Sequence, residues 1–285
     1  MIKNIFKIAL VGLFFVSCSE ADDQIVDLVS GETPIVNDPE LVNMGLKITA
    51  NQNEGNIFES FIFRLEQKNQ SFYYGELSNH LDSLVFKISD YKKTRKLFVN
   101  YSNGNSGTTQ FNHNFYFPGN YNASILGYKN GKIIYKDAID LKVTDNKDFF
   151  VTNWNNFTAN LPQGYFNALA DNRLLFQNRY ENNNPYVNMM VSWDNYITYT
   201  SDQIQKMDKD VLNNFIVKYY QQPQYTESSP IIKDVYNQNF KKILKNDIPV
   251  SIWLTAKNNI ALIKEYSVTY PDQPFTYKII AEPKN

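Results

Sequence analysis

The stretch "FYFPGNYNASILGYKNGKIIYKDAIDLKV", residues 115–143, carries the strongest signal for the fold of this chain. Asn130-Gly131 lies near its middle, and Asn-Gly favours a two-residue hairpin turn because both turn positions need a positive φ. After the turn, apolar and polar residues alternate, which places Ile139, Leu141 and Val143 on one face of an extended chain. The stretch therefore predicts an antiparallel hairpin with one buried face.

Shorter runs of the same alternating kind precede this hairpin. In residues 61–65, Phe61, Phe63 and Leu65 lie on one face of an extended chain. The further runs lie at residues 46–50, 84–88 and 96–101. About seven short strands with polar breaks, and no long helical pattern between them, predict an antiparallel β-sandwich over residues 45–146.

The end of this segment resembles the last strands of PKD-like, immunoglobulin-type domains. Those domains carry an aromatic residue, then Pro-Gly-x-Tyr, then an alternating strand, and Pro118-Gly119-Asn120-Tyr121 follows that pattern. The Pro-Gly pair turns the chain, and Tyr121 begins the next strand with a large side chain over the core. The family's W-x-F-G-D-G signature is absent here. The resemblance implies an Ig-like sandwich that acts as a spacer or binding module, and it implies no particular ligand.

Residues 147–285 show a different pattern, in which two helices interrupt a set of strands. Thr200 and Gln203 have capping-box spacing, and apolar residues then recur at steps of three and four. Pro230 suits the first turn of a second helix, whose apolar stripe runs to Leu244. Strands are expected before the helices and at residues 250–256, 260–268 and 275–281. This order predicts an α+β domain with two amphipathic helices, and it resembles no family that we recognise.

The N-terminus has the features of a secretory signal. Two lysines precede an apolar run at residues 8–16, which is too short for a membrane-spanning helix of about 20 residues. Phe15-Val16-Ser17-Cys18 follows and resembles the bacterial lipobox, L-[AS]-[GA]-C. The resemblance implies that residues 1–17 are a lipoprotein signal peptide and that Cys18 is lipidated.

Cys18 is the only cysteine in the chain. The alternative to lipidation is a buried or reactive free thiol, which would leave its position just after an apolar run unexplained. Because each buried methylene contributes about 0.8 kcal/mol and two acyl chains suffice for stable anchoring, a triacylated Cys18 would hold the protein on a bilayer. With no second cysteine, we expect the fold to depend on its core and not on a disulfide.

Acidic residues follow Cys18 directly. Ser19-Glu20-Ala21-Asp22-Asp23 resembles the export signal of some Gram-negative surface lipoproteins, although the same acids also suit an ordinary solvated linker. Acids and prolines without periodicity continue to residue 44, so we predict that residues 18–44 form a flexible tether with a reach of about 28 Å. The expected location is the outer membrane, facing the cell exterior, or alternatively the periplasmic side.

The sequence contains no recognisable catalytic motif, and we predict no catalytic residue, no metal and no cofactor. Of its two histidines, His80 is expected in a loop and His113 in a strand beside Phe115, and their spacing fits no zinc motif. Asp194 and Glu265 are the acids to inspect for a carboxylate pair of the kind that glycosidases use. The other interpretation of these two acids is that they are solvated or ion-paired.

Three tryptophans, Trp154, Trp193 and Trp253, are candidates for stacking against a sugar, although core packing is the default for such residues. The net charge of −1 and the lack of a dense Lys/Arg stripe argue against nucleic acid as a partner. We expect a non-catalytic binding or assembly module, held to the membrane by its lipid, with a protein or glycan partner. The alternatives are an extracellular glycan- or peptide-processing enzyme and a glycan-binding uptake accessory.

Overall fold

The structure, a computed structural model, describes residues 35–68, 74–97, 110–167, 172–193, 200–244, 247–266 and 275–284. Half of these residues lie in strands and 19% in helices, which confirms the predicted mainly β fold class with antiparallel sheets. The strands of the described residues form three sheets, with three, five and seven strands. Among the same residues, no helix has the length and the apolar character needed to cross a bilayer.

Two of the sheets form a β-sandwich. The elements of this region are α1 (Pro39–Asn43), β1 (Lys47–Ala50), β2 (Glu54–Asn56), β3 (Ser60–Glu66), α2 (Tyr74–His80), β4 (Ser83–Ile88), β5 (Arg95–Leu97), β6 (Gln110–Asn114), β7 (Gly119–Lys129) and β8 (Lys132–Thr144). Phe63, Phe86 and Phe111 pack ring to ring between the sheets, with centroids 4.4–5.3 Å apart. The strands β1, β3 and β4 coincide with the alternating runs at residues 46–50, 61–65 and 84–88. The three strands predicted there are therefore confirmed.

The strand order of the sandwich is that of immunoglobulin-type folds. One sheet has the order β1-β3-β6 and the other β2-β8-β7-β4-β5, so that β3 and β4 follow each other along the chain but lie in opposite sheets. Every pair of strands is antiparallel except β2 with β8, which is parallel. The antiparallel β-sandwich expected from the alternating runs is therefore present.

The hairpin quoted from the sequence is formed by β7 and β8. Asn130 and Gly131, with φ of 49° and 72°, connect Lys129 to its cross-strand partner Lys132. These positive φ values are the ones that a two-residue hairpin turn requires. Tyr121 is 7% exposed, and its hydroxyl donates a hydrogen bond of 2.8 Å to the carbonyl oxygen four residues earlier. The predicted hairpin and the predicted place of Tyr121 over the core are both confirmed.

The C-terminal half forms a seven-stranded antiparallel sheet with helices packed against it. The strands are β9 (Gln163–Phe166), β10 (Asn172–Glu181), β11 (Asn184–Trp193), β12 (Tyr225–Thr226), β13 (Ile248–Leu254), β14 (Asn258–Tyr266) and β15 (Phe275–Pro283), in the spatial order β12-β13-β14-β15-β11-β10-β9. The two helices are α3 (Ser201–Tyr220) and α4 (Ile232–Asn239). This arrangement confirms the α+β character expected for residues 147–285.

Helices cover both faces of this sheet. Along β14, Ile260 and Leu262 belong to the core that also contains α3, whereas Ala261 and Ile263 belong to a second core with α4. Successive residues of a strand point to opposite faces. The strand is therefore buried on both sides, which explains why "IALI" at residues 260–263 is a continuous apolar run and does not alternate with polar residues.

The two helices differ in how well the sequence predicts their ends. The capping box of α3 is confirmed, because the Thr200 hydroxyl accepts from Gln203 N at 3.3 Å and the Gln203 side chain accepts from Thr200 N at 2.9 Å. The predicted second helix extends to Leu244, but α4 ends at Asn239. The backbone N–H groups of Lys241 and Lys242 donate to the buried Glu282 carboxylate instead, at 2.8 and 2.7 Å, and this tertiary contact replaces the helical hydrogen bonds.

Residues 35–44, which belong to the predicted tether, are part of the folded structure. Asn37 makes two hydrogen bonds to the backbone of Lys136 in β8, of 2.9 and 2.8 Å. The Asp38 side chain caps α1, and Leu41 in that helix is fully buried. The acid and proline that suggested a linker here serve instead as the start of a short helix. The predicted signal peptide, Cys18, the predicted export signal and the rest of the predicted tether lie outside the described residues.

Residues 35–285 form one compact unit, and the main core runs from the sandwich into the seven-stranded sheet. Phe58 of the β2–β3 loop and Phe150 contact each other at a centroid distance of 5.9 Å, and both have a positive φ, of 62° and 49°. The Asn114 side chain links Phe58 O to Phe166 N in β9 through two hydrogen bonds of 2.9 Å. The division into separate domains at residue 146 stays a prediction.

Gln221, which follows α3, has φ 64° and ψ −161°, a combination that only glycine adopts without strain. Its side chain is exposed, and its carbonyl oxygen accepts from Trp253 Nε1 at 3.0 Å. We expect Gln221→Gly to raise the free energy of unfolding by about 1 kcal/mol, because the strain disappears and the backbone hydrogen bond remains. Chemical denaturation measures this change. Gln222→Gly is the matched control, and a loss of stability in both variants would contradict the argument.

Candidate functional site

An open cleft of about 530 Å³ lies on the sandwich, at the end of the hairpin away from its turn. Its lining is formed by Asn53, Glu54, Ser89, Asn120, Tyr121, Asn122, Asp140, Leu141 and Lys142. Its volume falls within the range of 300–1,000 Å³ that is typical of ligand pockets. Seven of these nine side chains are polar or charged, and the two apolar ones, Tyr121 and Leu141, are 7% and 3% exposed.

The register of three strands assembles this cleft. In the β7–β8 pair, Asn120 lies opposite Lys142 and Asn122 lies opposite Asp140. Because side chains alternate along a strand, these four project outward while Tyr121 and Leu141 project into the core. The parallel β2–β8 pair then places Glu54 beside Lys142.

Hydrogen bonds hold the polar groups of the cleft in place. Asn122 Nδ2 donates to Asp140 Oδ1 at 2.8 Å. The backbone of Asn122 is bound twice by Ser89, since Asn122 N donates to Ser89 Oγ at 2.8 Å and Ser89 N donates to Asn122 O at 2.9 Å. Lys142 Nζ lies 3.8 Å from Glu54 Oε1, and its backbone N–H donates to Asn53 O. The side chains of Asn122, Asp140 and Ser89 are therefore ordered by hydrogen bonds within the protein.

The tryptophans predicted as sugar-stacking residues lie in three different places. Trp253 is 0% exposed and therefore has no face to offer a sugar ring; it packs in the core, with its Nε1 bound to a backbone carbonyl. Trp193 is half-buried at the end of β11, where its Nε1 donates to Asp208 Oδ1 at 2.7 Å. The structure brings neither of them to the cleft, and it does not bring them together as one platform.

Trp154 is half-buried in the connection between β8 and β9. Its ring stacks on Phe157 at a centroid distance of 5.5 Å, and its Nε1 donates to Asn258 Oδ1 at 2.8 Å. Phe157 also meets the half-exposed Tyr180, edge to face, at 5.1 Å. The indole of Trp154 therefore already makes one ring contact and one hydrogen bond within the protein. Its role in stacking against a sugar stays a prediction.

The other residues singled out from the sequence are dispersed. His113 lies in β6 as predicted and is 0% exposed, and burial lowers the pKa of its imidazole to about 3. His80 ends α2 instead of lying in a loop, and its Nδ1 is 2.9 Å from Glu40 Oε2. Glu265 forms an ion pair with Lys278, and Asp194 lies outside the described residues. The described residues contain no cluster of three or more His, Cys, Asp or Glu that suits a metal ion.

Asp208 is a titratable group that sequence reasoning did not identify. It lies on α3, and burial raises the pKa of its carboxyl to about 6, although the hydrogen bond from Trp193 acts in the opposite direction. Asp208 lies four residues after Ile204 and four before Leu212, so the helical period places it on the apolar face of α3, whereas the exposed Asp210 lies on the other face. This spacing is the signal that could have identified Asp208, although its contact with Trp193 arises only when α3 packs against β11.

The comparisons with known proteins add no relative. No family, no curated protein and no solved structure matches this chain. The function must therefore be argued from the residues and their geometry.

The cleft residues carried one signal that sequence reasoning did not use. Within the predicted hairpin, Asn120 and Asn122 occupy alternate positions of one strand, as do Asp140 and Lys142 in the other, and each pair lies on the outward face. Their convergence with residues 53, 54 and 89 depends on the packing of separate strands, which no spacing in the sequence indicates.

Proposed function

We propose that this protein is a lipid-anchored lipoprotein of the bacterial outer membrane, facing the cell exterior, that binds a ligand without catalysing a reaction. Its PKD-like sandwich follows the tether and carries the cleft. The lipobox-like residues up to Cys18 and the acidic residues after it support the anchor and the export. The periplasmic side of the membrane is the alternative location.

The observation that carries the binding role is the cleft on the outer face of β7 and β8. Its polar side chains converge from four separate stretches of the chain, and three of them are held by hydrogen bonds before any ligand arrives. Groups that are ordered in advance lose less entropy when a ligand binds. Such an arrangement of ordered hydrogen-bonding groups suits recognition of a polar ligand.

One observation favours the alternative of an extracellular glycan- or peptide-processing enzyme. The raised pKa of Asp208, beside an indole ring, is a property that a general acid needs near neutral pH. Burial, and not a neighbouring carboxylate, raises the pKa of Asp208, so this shift does not identify the second acid that a glycosidase requires. A hydrolytic activity that disappears in Asp208→Asn would support this alternative over the binding role.

The anchor is tested with Cys18→Ala in the full-length chain expressed in a Gram-negative bacterium. We expect the variant to leave the membrane fraction and to lose incorporation of labelled palmitate, because no thiol remains to receive the acyl chains. Ser17→Ala is the matched control and should remain membrane-bound. Unchanged fractionation of Cys18→Ala would contradict the lipoprotein proposal.

A further inference from the structure

We propose that the cleft formed by β2, β7 and β8 binds a neutral, hydroxyl-rich saccharide. The inference rests on the proposed binding function and assigns it a ligand class and a site. It depends on three properties of the cleft: its mixed charge, its lack of an exposed apolar floor, and the way in which its donors and acceptors are distributed.

The charges in the cleft disfavour ionic ligands of either sign. Glu54 and Asp140 would repel a polyanion, and two carboxylates beside one ammonium leave no excess of positive charge to attract it. A divalent cation faces the opposite obstacle. Lys142 Nζ lies 3.8 Å from Glu54 Oε1, so that a cation bound by this carboxylate would have to displace the ammonium group.

The surface of the cleft also disfavours an apolar ligand. Tyr121 and Leu141 are its only apolar lining residues, and both are more than nine-tenths buried. Binding an apolar group here would cover the amide and carboxylate groups without giving them partners, which costs free energy. The cleft therefore selects a ligand that forms hydrogen bonds at many positions.

The remaining hydrogen-bonding capacity matches a chain of hydroxyl groups. Asn122 uses Nδ2 to bind Asp140 Oδ1, which leaves Asn122 Oδ1 and Asp140 Oδ2 as acceptors side by side. Lys142 supplies an ammonium donor on the next outward position of β8, and the exposed Asn120 opposite it supplies both a donor and an acceptor. Since each sugar hydroxyl both donates and accepts, adjacent hydroxyls of one ring can satisfy such alternating groups.

The backbone around these groups is arranged to keep them in place. Ser89 binds both the N–H and the carbonyl of Asn122, and Asn53 binds the N–H of Lys142. The sheet therefore fixes the backbone positions from which the side chains of β7 and β8 project. A rigid polar site of this kind binds through the geometry of its hydrogen bonds and not through the adaptation of a loop.

The test uses the full-length chain in detergent micelles and isothermal titration calorimetry. The probes are neutral tetrasaccharides of glucan, mannan, xylan, galactan and chitin type, with Ca²⁺ alone and a heparin tetrasaccharide as the charged probes. We expect at least one neutral probe to bind, and Asp140→Ala and Asn122→Ala each to weaken it roughly tenfold or more, since each removes a buried hydrogen bond to the ligand. Asn120→Ala removes a side chain that no hydrogen bond ties to the fold, so it tests the cleft even if the other variants unfold.

Asp210→Asn on α3 and Asn112→Ala on β6 are the matched controls, because both residues are exposed and lie outside the cleft. The proposal is overturned if no neutral probe binds at about 10 mM, a concentration that detects even weak affinities. It is also overturned if a neutral probe binds equally well to all three cleft variants, or if only Ca²⁺ or heparin binds. Membrane fractionation of Cys18→Ala tests the anchor separately, so that the ligand class and the proposed function can fail independently.

Discussion

Lowering the pH from about 6.5 to about 3 is expected to destabilise the protein by about 4 kcal/mol through one side chain, His113. The imidazole is 0% exposed, between the ring of Phe115 at 4.6 Å and that of Tyr91 at 5.5 Å. Burial disfavours its charged form, so its pKa falls to about 3 in the folded chain, from 6.5 in the unfolded chain. The unfolded state therefore binds the additional proton within this pH range, and stability decreases as the pH falls.

The measurement is the free energy of unfolding at several pH values for the wild type and for His113→Phe, which keeps an aromatic ring but cannot titrate. We expect the variant to gain stability relative to the wild type as the pH is lowered. Phe115→Leu is the control, because it removes packing next to His113 and should lower stability by a similar amount at every pH. A difference between wild type and His113→Phe that does not vary with pH would show that the imidazole is not buried as described.

Asp208→Asn is expected to stabilise the protein by about 3 kcal/mol near pH 8 and to have little effect near pH 4. Burial raises the pKa of the Asp208 carboxyl to about 6, compared with 3.8 in the unfolded chain. The folded state thus binds the additional proton between these two values, and stability decreases as the pH rises through them. An amide keeps the acceptor for Trp193 Nε1 and has no charge to desolvate.

This pH dependence is opposite in sign to that of His113, so the two effects can be separated. Denaturation of Asp208→Asn across the pH range should remove the decrease in stability between about pH 4 and pH 6 and leave the acid-induced loss intact. Asp210→Asn, two residues along the same helix and exposed, should change stability by less than about 0.5 kcal/mol at any pH. Lower stability of Asp208→Asn near pH 8 would mean that the charged hydrogen bond to Trp193 outweighs the cost of burial.

In the C-terminal half, local sequence patterns predict where one helix begins but not where the other ends. The capping box at Thr200 predicts the start of α3 correctly, because a cap depends on side chains three residues apart. The second helix is predicted five residues too long at its end, since the apolar stripe continues past Asn239. A carboxylate from β15, some forty residues away in sequence, binds the backbone that would otherwise continue the helix. The sequence does not predict the short helix α1, because a helix of five residues is stable only through contact with the sandwich, where Leu41 is buried.

The amino-acid sequence by itself determined the alternating strands of the sandwich, the Asn130-Gly131 hairpin and the capped start of α3. These features follow from periodicity, turn dihedral angles and caps, which involve residues only a few positions apart. The tertiary structure alone decided how far His113 and Asp208 are removed from solvent, where α4 ends, and that residues 53–54 and 89 join the β7–β8 hairpin in one cleft. Desolvation and cross-strand register depend on segments that are distant along the chain and become neighbours only when the core packs, so no local pattern specifies them.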